Sequence, residues 1–271
     1  RCSFDLRART LELLTMKDLL THIALNEPIT DDTRRLRFPV DWKSFDPGQF
    51  VMVEIPGGDV FLRRPFGVAA LEGGEAEVCY KIVGRGTSAL SKAPVCTPLR
   101  VLGPLGKGFR VLPEVESALL VAGGYGIAPL FGLAVSLRRK GIKVKVFYGG
   151  KRAGELLYLD ELKASGAQLF LSTEDGSAGF KGLVTDLLEN EIKSIEGPAI
   201  FACGPHGMLA ATARIGIARN IPTQVSMEEY MACGIGVCQG CVCRGRDGGF
   251  VRTCSDGPVF DAAAIEFSPY V

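Results

Sequence analysis

Cysteine is the residue that most constrains this sequence, because its positions are so uneven. The 271-residue chain has nine cysteines, and five of them crowd into positions 233–254. From about Thr223 onward the sequence is rich in Gly and Cys and has little helical periodicity, so this segment is too small to fold around a core of its own. A disulfide scaffold would instead spread its pairs through a small secreted domain. The pattern therefore favours a metal site in a protein kept in a reducing compartment.

The spacing of these cysteines indicates which metal they hold. They follow the order C-x4-C-x2-C with a fourth thiol thirteen positions later, and the residues are Cys233, Cys238, Cys241 and Cys254. This is the spacing of plant-type [2Fe–2S] sites, and the intervening glycines allow a tight loop whose N–H groups face the sulfurs. A four-cysteine structural zinc site is the alternative, although it usually has two matched C-x2-C pairs. Cys243 is either a substitute for Cys241 or a buried bystander.

Length and charge exclude several classes of protein. A chain of 271 residues predicts two domains, and 47% hydrophobic against 23% charged residues argues against disorder. The formal net charge of +1 gives no field to hold nucleic acid or an anionic membrane, so we expect neither as a partner. No apolar run reaches the roughly 18 residues that cross a bilayer, and the first residues lack the layout of a secretory signal. We therefore expect a soluble, cytoplasmic protein.

The pattern of strands and helices predicts an α+β, multidomain fold. Residues 16–112 read as short alternating strands with Gly-containing turns, which is typical of an antiparallel β-barrel. In residues 113–222 apolar strands alternate with helices, which predicts a parallel α/β sheet with a nucleotide site at its strand ends. Residues 223–271 form the small cysteine module. Residues 1–15 show no strand register and are expected to be an extension of unknown role ahead of a natural start at Met16.

Two segments of the first region carry groups suited to a diphosphate. Arg63-Arg64-Pro65-Phe66-Gly67 follows a strand, where a guanidinium can clamp a diphosphate with two hydrogen bonds. In segment 81–91, glycines end a strand and Thr87-Ser88 can cap the following helix, so that backbone donors and the positive helix end face one anion. Each signal is weak alone, because solvated arginine pairs and plain strand-to-helix turns are common.

The second region contains a glycine loop in the context that a nucleotide site requires. Gly123-Gly124-Tyr125-Gly126-Ile127-Ala128-Pro129 lies between an apolar strand and a helix, and Cys203-Gly204-Pro205 ends a later strand. Glu174-Asp175 ends another strand, where a carboxylate accepts a hydrogen bond from a ribose 2′-hydroxyl and repels a 2′-phosphate, which favours NAD(H) over NADP(H). Lys151-Arg152 instead favours NADP(H), because basic side chains can hold a 2′-phosphate. The alternative for both the acidic pair and the basic pair is that they lie in solvated loops.

These segments, in this order, resemble the ferredoxin–NADP reductase superfamily. Within it, the sequence is similar to the electron-transfer subunits of NAD-linked, two-subunit dihydroorotate dehydrogenases. Those carry an Arg-Arg-Pro-x-Ser flavin segment, a Gly-Gly-Gly-x-Gly-x-Ala-Pro loop, a Cys-Gly-Pro turn and a cysteine motif that ends in Cys-x-x-Gly-Pro-Val-Phe. The matching segments here are Arg63–Gly67, Gly123–Pro129, Cys203–Pro205 and Met231–Cys241 with Cys254–Phe260. The resemblance covers about residue 16 to the end, and the cysteine motif is its most specific part.

The resemblance implies three cofactors and the residues that hold them. The [2Fe–2S] cluster would be bound by the four cysteines of the spacing pattern. FAD would lie against Arg64, Pro65, Phe66, Gly67, Tyr80, Lys81, Ile82, Gly86 and Thr87. NAD(H) would lie against Gly123, Gly124, Gly126, Ala128, Pro129, Glu174, Asp175, Gly204 and Pro205. Cys203 would lie near the hydride-transfer path as a catalytic residue, with a buried structural thiol as the alternative.

The resemblance also implies a partner and an activity. An FMN-containing catalytic subunit would oxidise dihydroorotate in pyrimidine synthesis, and this chain would relay the electrons to NAD through [2Fe–2S] and FAD. The complex would be a heterotetramer with two subunits of each kind. One alternative is a reductase subunit that serves ferredoxin, sulfide or hydrogenase partners. Another is a redox-sensing module that holds FAD without turnover.

Two positions depart from the family pattern. Gly67 stands where the family has Ser, whose hydroxyl is expected to approach flavin N5, so only backbone can make that contact here. Tyr125 stands within the glycine loop, where its ring is expected either to tighten the loop around the cofactor or to block an empty site.

Overall fold

An antiparallel sheet forms the first part of the fold. The computed structural model describes residues 16–57 and 60–267, so the expected extension at 1–15 lies outside the described residues. The strands of this sheet are β1 (Lys17–His22), β2 (Leu25–Pro28), β3 (Thr33–Pro39), β4 (Phe50–Val53), β5 (Arg64–Glu72), β6 (Glu75–Lys81) and β7 (Pro98–Leu105). They pair in the order β1-β7-β4-β5-β6-β3-β2, and helix α1 (Arg85–Lys92) follows β6.

Alternation of side chains gives this sheet one apolar face. In β7, Leu99 and Val101 are buried while Pro98 and Arg100 are exposed, as the two-residue period of a strand requires. The buried residues of β7 pack with apolar side chains from the other strands, among them Phe38, in a core enclosed by the sheet.

A parallel sheet forms the second part of the fold. Its strands are β8 (Ser117–Gly123), β9 (Lys143–Gly150), β10 (Gln168–Thr173), β11 (Phe180–Lys181), β12 (Pro198–Cys203) and β13 (Thr223–Ser226), in the order β11-β10-β9-β8-β12-β13. The helices are α2 (Ile127–Arg139), α3 (Leu159–Ala164), α4 (Val184–Glu191) and α5 (His206–Ala218), and short 3-10 turns lie at Gly124–Gly126, Ala153–Glu155, Ile192–Ser194 and Ala262–Ala264. Helices α2 and α3 cover one face and α4 and α5 the other, which explains why β8 is apolar from Ala118 to Ala122.

The cysteine module packs against both sheets. Its strands are β14 (Val242–Arg244) and β15 (Phe250–Arg252), which form a hairpin, and β16 (Val259–Asp261), which extends the parallel sheet by pairing antiparallel with β13. Cys241 and Cys254 pack with Phe50 and Met52 of the barrel. At Gly234, where φ is +72°, an added Cβ would lie 2.5 Å from Met52 Cγ, so the cysteine loop rests directly on β4.

The two sheets and the small module confirm the expected α+β multidomain fold class. The expected boundary at 112/113 falls in the connection between β7 and β8. Residues 223–226, expected at the start of the cysteine module, form β13 of the parallel sheet, and the division of the chain into domains stays a prediction. Among the described residues, we find no helix with the length and apolar character needed to span a bilayer.

A buried carboxylate joins the barrel to the second sheet. Glu77 in β6 accepts hydrogen bonds from Arg37 Nε at 2.6 Å and from the Tyr158 hydroxyl, ahead of α3, at 2.8 Å. Arg35 Nε lies 3.3 Å from the same carboxylate, and Arg35 also pairs with Glu161 of α3 at 2.8 Å. The Arg35 guanidinium lies 5.1 Å from the centre of the Tyr158 ring. These contacts fix α3 and its preceding loop against the barrel.

We predict that Glu77→Gln lowers the free energy of unfolding by about 2 kcal/mol, because a neutral amide leaves two partly buried guanidinium groups without their shared carboxylate. The measurement is the midpoint of urea unfolding followed by circular dichroism. Glu72→Gln, at an exposed position of β5, is the matched control and should change stability by less than about 0.5 kcal/mol. Equal midpoints for the two variants would show that the carboxylate does not hold the two parts together.

Candidate functional site

The larger cavity lies at the carboxyl ends of the parallel strands. Its volume is about 700 Å³. Five of the residues predicted to bind NAD(H) line it: Gly123, Gly124, Glu174, Gly204 and Pro205. Lys151 and Arg214 add positive charge to its wall, and Asp32 of the barrel adds negative charge. A cavity of this size at the strand ends of a parallel sheet is suited to a dinucleotide.

Close backbone approach explains the glycines of this cavity. An added Cβ at Gly126 would lie 2.4 Å from the carbonyl oxygen of Cys203, so only glycine lets the loop after β8 meet the end of β12. Gly124 has a φ of +54°, and its carbonyl accepts a hydrogen bond from the Tyr148 hydroxyl at 2.9 Å. The backbone of the loop is therefore held by its close packing on the end of β12 and by the Tyr148 side chain of β9.

A second cavity, of about 250 Å³, lies between the barrel and the start of α2. Ten of the predicted residues line it: Arg64, Pro65, Phe66, Gly67, Tyr80, Lys81, Thr87, Ala128, Pro129 and Cys203. The walls thus bring together the two flavin segments of the barrel and part of the glycine loop. Met227, Met231 and Pro258 of the C-terminal segment complete the lining, so this cavity adjoins the cysteine module.

Contacts at the start of α1 prepare one side of this second cavity. Thr87 Oγ1 accepts hydrogen bonds from the backbone N–H groups of Val83 and Gly84 at 2.9 and 3.2 Å. An added Cβ at Gly86 would lie 3.1 Å from Arg64 Nε, so this glycine allows the guanidinium to lie against the helix start. The arginine and the helix start therefore face the same space, as the binding of a diphosphate requires.

Gly67 is explained by its neighbour across the cavity. An added Cβ at this position would lie 2.8 Å from Cγ of Pro129. The Pro129 ring therefore lies directly against this position, and glycine lets β5 and the start of α2 approach each other closely.

Some of the residues predicted to bind FAD or NAD(H) line neither cavity in the part of the chain that the structure describes. They are Ile82, Gly86, Gly126 and Asp175. Asp175 instead accepts hydrogen bonds within its own loop, from the backbone N–H and the hydroxyl of Ser177 at 2.8 and 2.6 Å, and these bonds lower the pKa of its carboxyl. The structure therefore separates two adjacent acids, because Glu174 lines the nucleotide cavity and Asp175 does not.

Cys203 is almost completely buried at the end of β12. Burial, followed by the nearby Glu228, raises the pKa of its thiol, so the group stays protonated at neutral pH. A protonated thiol is a poor nucleophile, and this favours a role in packing beside the flavin cavity over covalent chemistry.

Two residues stand at the boundary between the cavities. The Tyr125 hydroxyl donates a hydrogen bond to Glu228 Oε2 at 2.8 Å, and both residues line both cavities. Desolvation raises the pKa of Tyr125, and the Glu228 carboxylate raises it further. Desolvation among the cavity walls also raises the pKa of Glu228, and the hydrogen bond from Tyr125 opposes this shift. Sequence reasoning missed Glu228, since nothing in Met227-Glu228-Glu229 marks a site.

Backbone N–H groups point at the sulfurs of the cysteine loop. Cys233 Sγ accepts from the N–H groups of Ile235 and Cys238 at 3.5 Å each, and Cys254 Sγ accepts from Gly236 at 3.1 Å. The Cys254 N–H in turn points at Cys241 Sγ at 3.4 Å. Although desolvation opposes it, the donors around Cys233 lower the pKa of that thiol to about 7, which favours the thiolate that metal binding needs.

The four thiols of the spacing pattern lie near one another. Cys233 interacts with Cys238 and with Cys254, and Cys254 interacts with Cys241. In the part of the chain that the structure describes, no three His, Cys, Asp or Glu side chains are grouped closely enough to hold one metal ion. A [2Fe–2S] cluster takes two thiolates on each iron, and N–H groups that point at the sulfurs help to set its potential. The neighbouring thiols and their N–H donors fit such a cluster.

Comparison with known proteins identifies the family. A family profile described as "Iron-sulfur cluster binding domain of dihydroorotate dehydrogenase B" matches residues 228–266, and one described as "Oxidoreductase NAD-binding domain" matches residues 120–214. The dihydroorotate dehydrogenase B (NAD(+)) electron transfer subunit of Caldanaerobacter subterraneus is 39% identical over 245 residues, covering 89% of this chain and 96% of that protein. The chain belongs to the family of dihydroorotate dehydrogenase B electron transfer subunits. The expected resemblance is thereby confirmed.

A further electron transfer subunit agrees with this chain in length, and solved structures of other proteins share its fold. The Clostridium perfringens subunit is 36% identical over 221 residues, covering 81% of this chain and 87% of that protein. Among solved structures, an NADH-dependent reduced ferredoxin-NADP oxidoreductase superposes with a TM-score of 0.83 at 28% identity, covering 93% of this chain and 91% of that chain. A ferredoxin NADP+ reductase from Neisseria gonorrhoeae has a TM-score of 0.64 at 17% identity, covering 83% and 95%, and shares the fold.

We predict that Cys241→Ser abolishes or distorts the iron–sulfur absorbance of the purified protein, because it removes a thiol beside Cys254. Cys243→Ser is the matched control, two residues away. Cys243 packs in the apolar core of the parallel sheet, where burial raises the pKa of its thiol, so its replacement should leave the visible spectrum unchanged. The reverse result would move the third ligand to position 243.

Proposed function

We propose that this chain relays electrons between nicotinamide dinucleotide and an FMN-containing dihydroorotate dehydrogenase catalytic subunit, as part of pyrimidine synthesis. The observation that carries the proposal is the sequence of sites: the nucleotide cavity adjoins the flavin cavity, and the flavin cavity adjoins the cysteine module. The relatives named as electron transfer subunits of dihydroorotate dehydrogenase B support the same activity. FAD, when bound, supplies the exchange of a hydride for single electrons that nicotinamide and an iron–sulfur cluster require.

The residues take the following roles in this proposal. Arg64 and the start of α1 bind the FAD diphosphate, and the wall around Gly67 and Pro129 holds the ring system in place. The glycine loop after β8 and the Gly204-Pro205 turn hold NAD(H). The cluster is held by Cys233, Cys238, Cys241 and Cys254. Each assignment rests on the position of the side chain or backbone in the cavity or loop described above.

The partner and the place of action follow from the same chemistry. The nucleotide and the flavin occupy the two cavities in this proposal, so dihydroorotate oxidation is assigned to the partner subunit. Loop 234–240 lies beside the cysteines and is largely exposed from Ile235 onward, with Val237 74% exposed, so we propose that it faces the second subunit. We propose a cytoplasmic heterotetramer with two subunits of each kind and no contact with nucleic acid or membrane.

A second candidate function is a reductase that serves a ferredoxin-type partner. The solved structure with the higher identity belongs to an NADH-dependent reduced ferredoxin-NADP oxidoreductase, which supports this reading. The two functions share the nucleotide and flavin sites, and they differ in the protein that exchanges electrons with the cluster.

We predict that NADH reduces the bound FAD with a higher kcat/KM than NADPH, because Glu174 in the cavity repels a 2′-phosphate. Glu174→Gln should narrow the preference about tenfold with little change in kcat, since the carboxylate acts equally on ground and transition states. Asp175→Asn is the control and should keep the preference, because that carboxylate is bound to Ser177. Equal effects of the two substitutions would assign the preference to net charge instead.

We predict that the isolated chain passes electrons from NADH to an artificial dye but shows no dihydroorotate-dependent reduction of NAD+. Adding the FMN-containing catalytic subunit should restore that activity. Val237→Asp should reduce the restored activity about tenfold or more by placing a desolvated charge in the interface, while dye reduction stays unchanged. Val95→Asp, on the exposed loop ahead of β7, is the control and should behave like the wild type. If ferredoxin but not the catalytic subunit accepts electrons, the second candidate function holds.

A further inference from the structure

The boundary between the nucleotide and flavin cavities is built from a few side chains. Three of the described residues line both cavities: Lys81, Tyr125 and Glu228. Lys81 Nζ pairs with Asp32 at 2.9 Å, which holds that side chain toward the barrel. Tyr125 and Glu228 come from opposite sides, from the glycine loop and from the segment after β13, and their hydrogen bond of 2.8 Å spans the boundary.

The loop that carries Tyr125 is held by contacts of its backbone, whereas the Tyr125 side chain is partly exposed and is held by a hydrogen bond. The Tyr148 hydroxyl holds the Gly124 carbonyl, and the Gly126 backbone packs against Cys203. The Tyr125 side chain is 40% exposed, and the hydrogen bond that the structure gives its hydroxyl is the bond to Glu228. Once the hydrogen bond to Glu228 breaks, the ring can therefore rotate about the Cα–Cβ bond of Tyr125 without any movement of the backbone.

Hydride transfer requires a short distance across the boundary between the two cavities. The reacting atoms must approach to about 3–3.5 Å, so a nicotinamide in the larger cavity must make direct contact with a flavin in the smaller one. The hydrogen-bonded phenol ring stands at the boundary that such a contact must cross. We propose that Tyr125 is a gate, latched by Glu228, which the nicotinamide must displace before it reaches the flavin. The proposal rests on the proposed function, since it assigns nicotinamide and flavin to the two cavities.

A gate of this kind has a thermodynamic signature. When a site is open for only a fraction of the time, the observed dissociation constant is the intrinsic one divided by that fraction. Opening the gate therefore improves the affinity for NAD+, whose nicotinamide must pass the boundary. The affinity for ADP-ribose, which lacks the nicotinamide and stays in the larger cavity, does not change.

The test uses the holoprotein with FAD and the iron–sulfur cluster in place. Dissociation constants for NAD+ and ADP-ribose are measured by calorimetry, and flavin difference spectra report the approach of the nicotinamide. Tyr125→Phe keeps the ring but removes the latch, and it should tighten NAD+ about three- to tenfold, as expected for the loss of one hydrogen bond, while ADP-ribose stays within about twofold. FAD content and the resting spectrum verify that the variant is folded.

Two further variants make the test specific. Glu228→Ala removes the latch from the other side and should give the same change in the ratio of the NAD+ and ADP-ribose affinities, and the double variant should add nothing more, because both substitutions break one interaction. Tyr230→Phe is the matched control, since this tyrosine is 95% exposed and lines neither cavity, and it should leave both affinities unchanged.

Two results would overturn the gate. Weaker binding of NAD+ to Tyr125→Phe would show that the hydroxyl binds the nicotinamide, and equal shifts for NAD+ and ADP-ribose would show a general change in the loop. These measurements need no turnover. Failure of NADH to reduce FAD in the wild type would therefore count against the proposed function, whatever the affinity ratio of the variants.

Discussion

The packing of the cysteine loop onto the barrel is the contact on which the rest of the structure depends. The loop has no core of its own, and it is stabilised by Met52 and Phe50 on one side and by β16 in the parallel sheet on the other. The same contact places the module against the flavin cavity, because Met231 both packs on the barrel and lines that cavity. The requirement for a core and the requirement for a short electron path are therefore met by one arrangement.

Glycines allow the barrel and the parallel-sheet part to pack closely together around the cavities. An added Cβ at Gly132 of α2 would lie 2.6 Å from the carbonyl oxygen of Ala69 in β5, so the helix lies directly on the barrel. The Gly67–Pro129 contact is a second approach of the same kind. Because the flavin cavity has walls from both parts, its shape depends on how the parts are held, and the charged network around Glu77 is one fixed point in that arrangement.

The sequence allowed the fold class and the family to be predicted, because their signals are local. The cysteine spacing and the strand–glycine loop–helix order are both read within short windows. The contacts that shape the site are not local. Glu228 and Tyr125 are 103 positions apart in the chain, and no sequence motif around either residue predicts their hydrogen bond. Adjacent residues can also differ in whether they reach the site. Asp175 binds the Ser177 side chain, whereas Glu174 lines the nucleotide cavity, and the periodicity of the sequence does not distinguish these two acids.

The pairing of β16 with β13 has a consequence for how this architecture can change. The antiparallel strand covers an edge of the parallel sheet that would otherwise present free N–H and C=O groups, which are a template for pairing with other chains. A deletion that removed the cysteine module would therefore do more than eliminate one redox centre, because it would also uncover β13. A reductase of this fold without the module must protect that edge in another way, so the loss or gain of the module requires compensating changes in a neighbouring part of the protein.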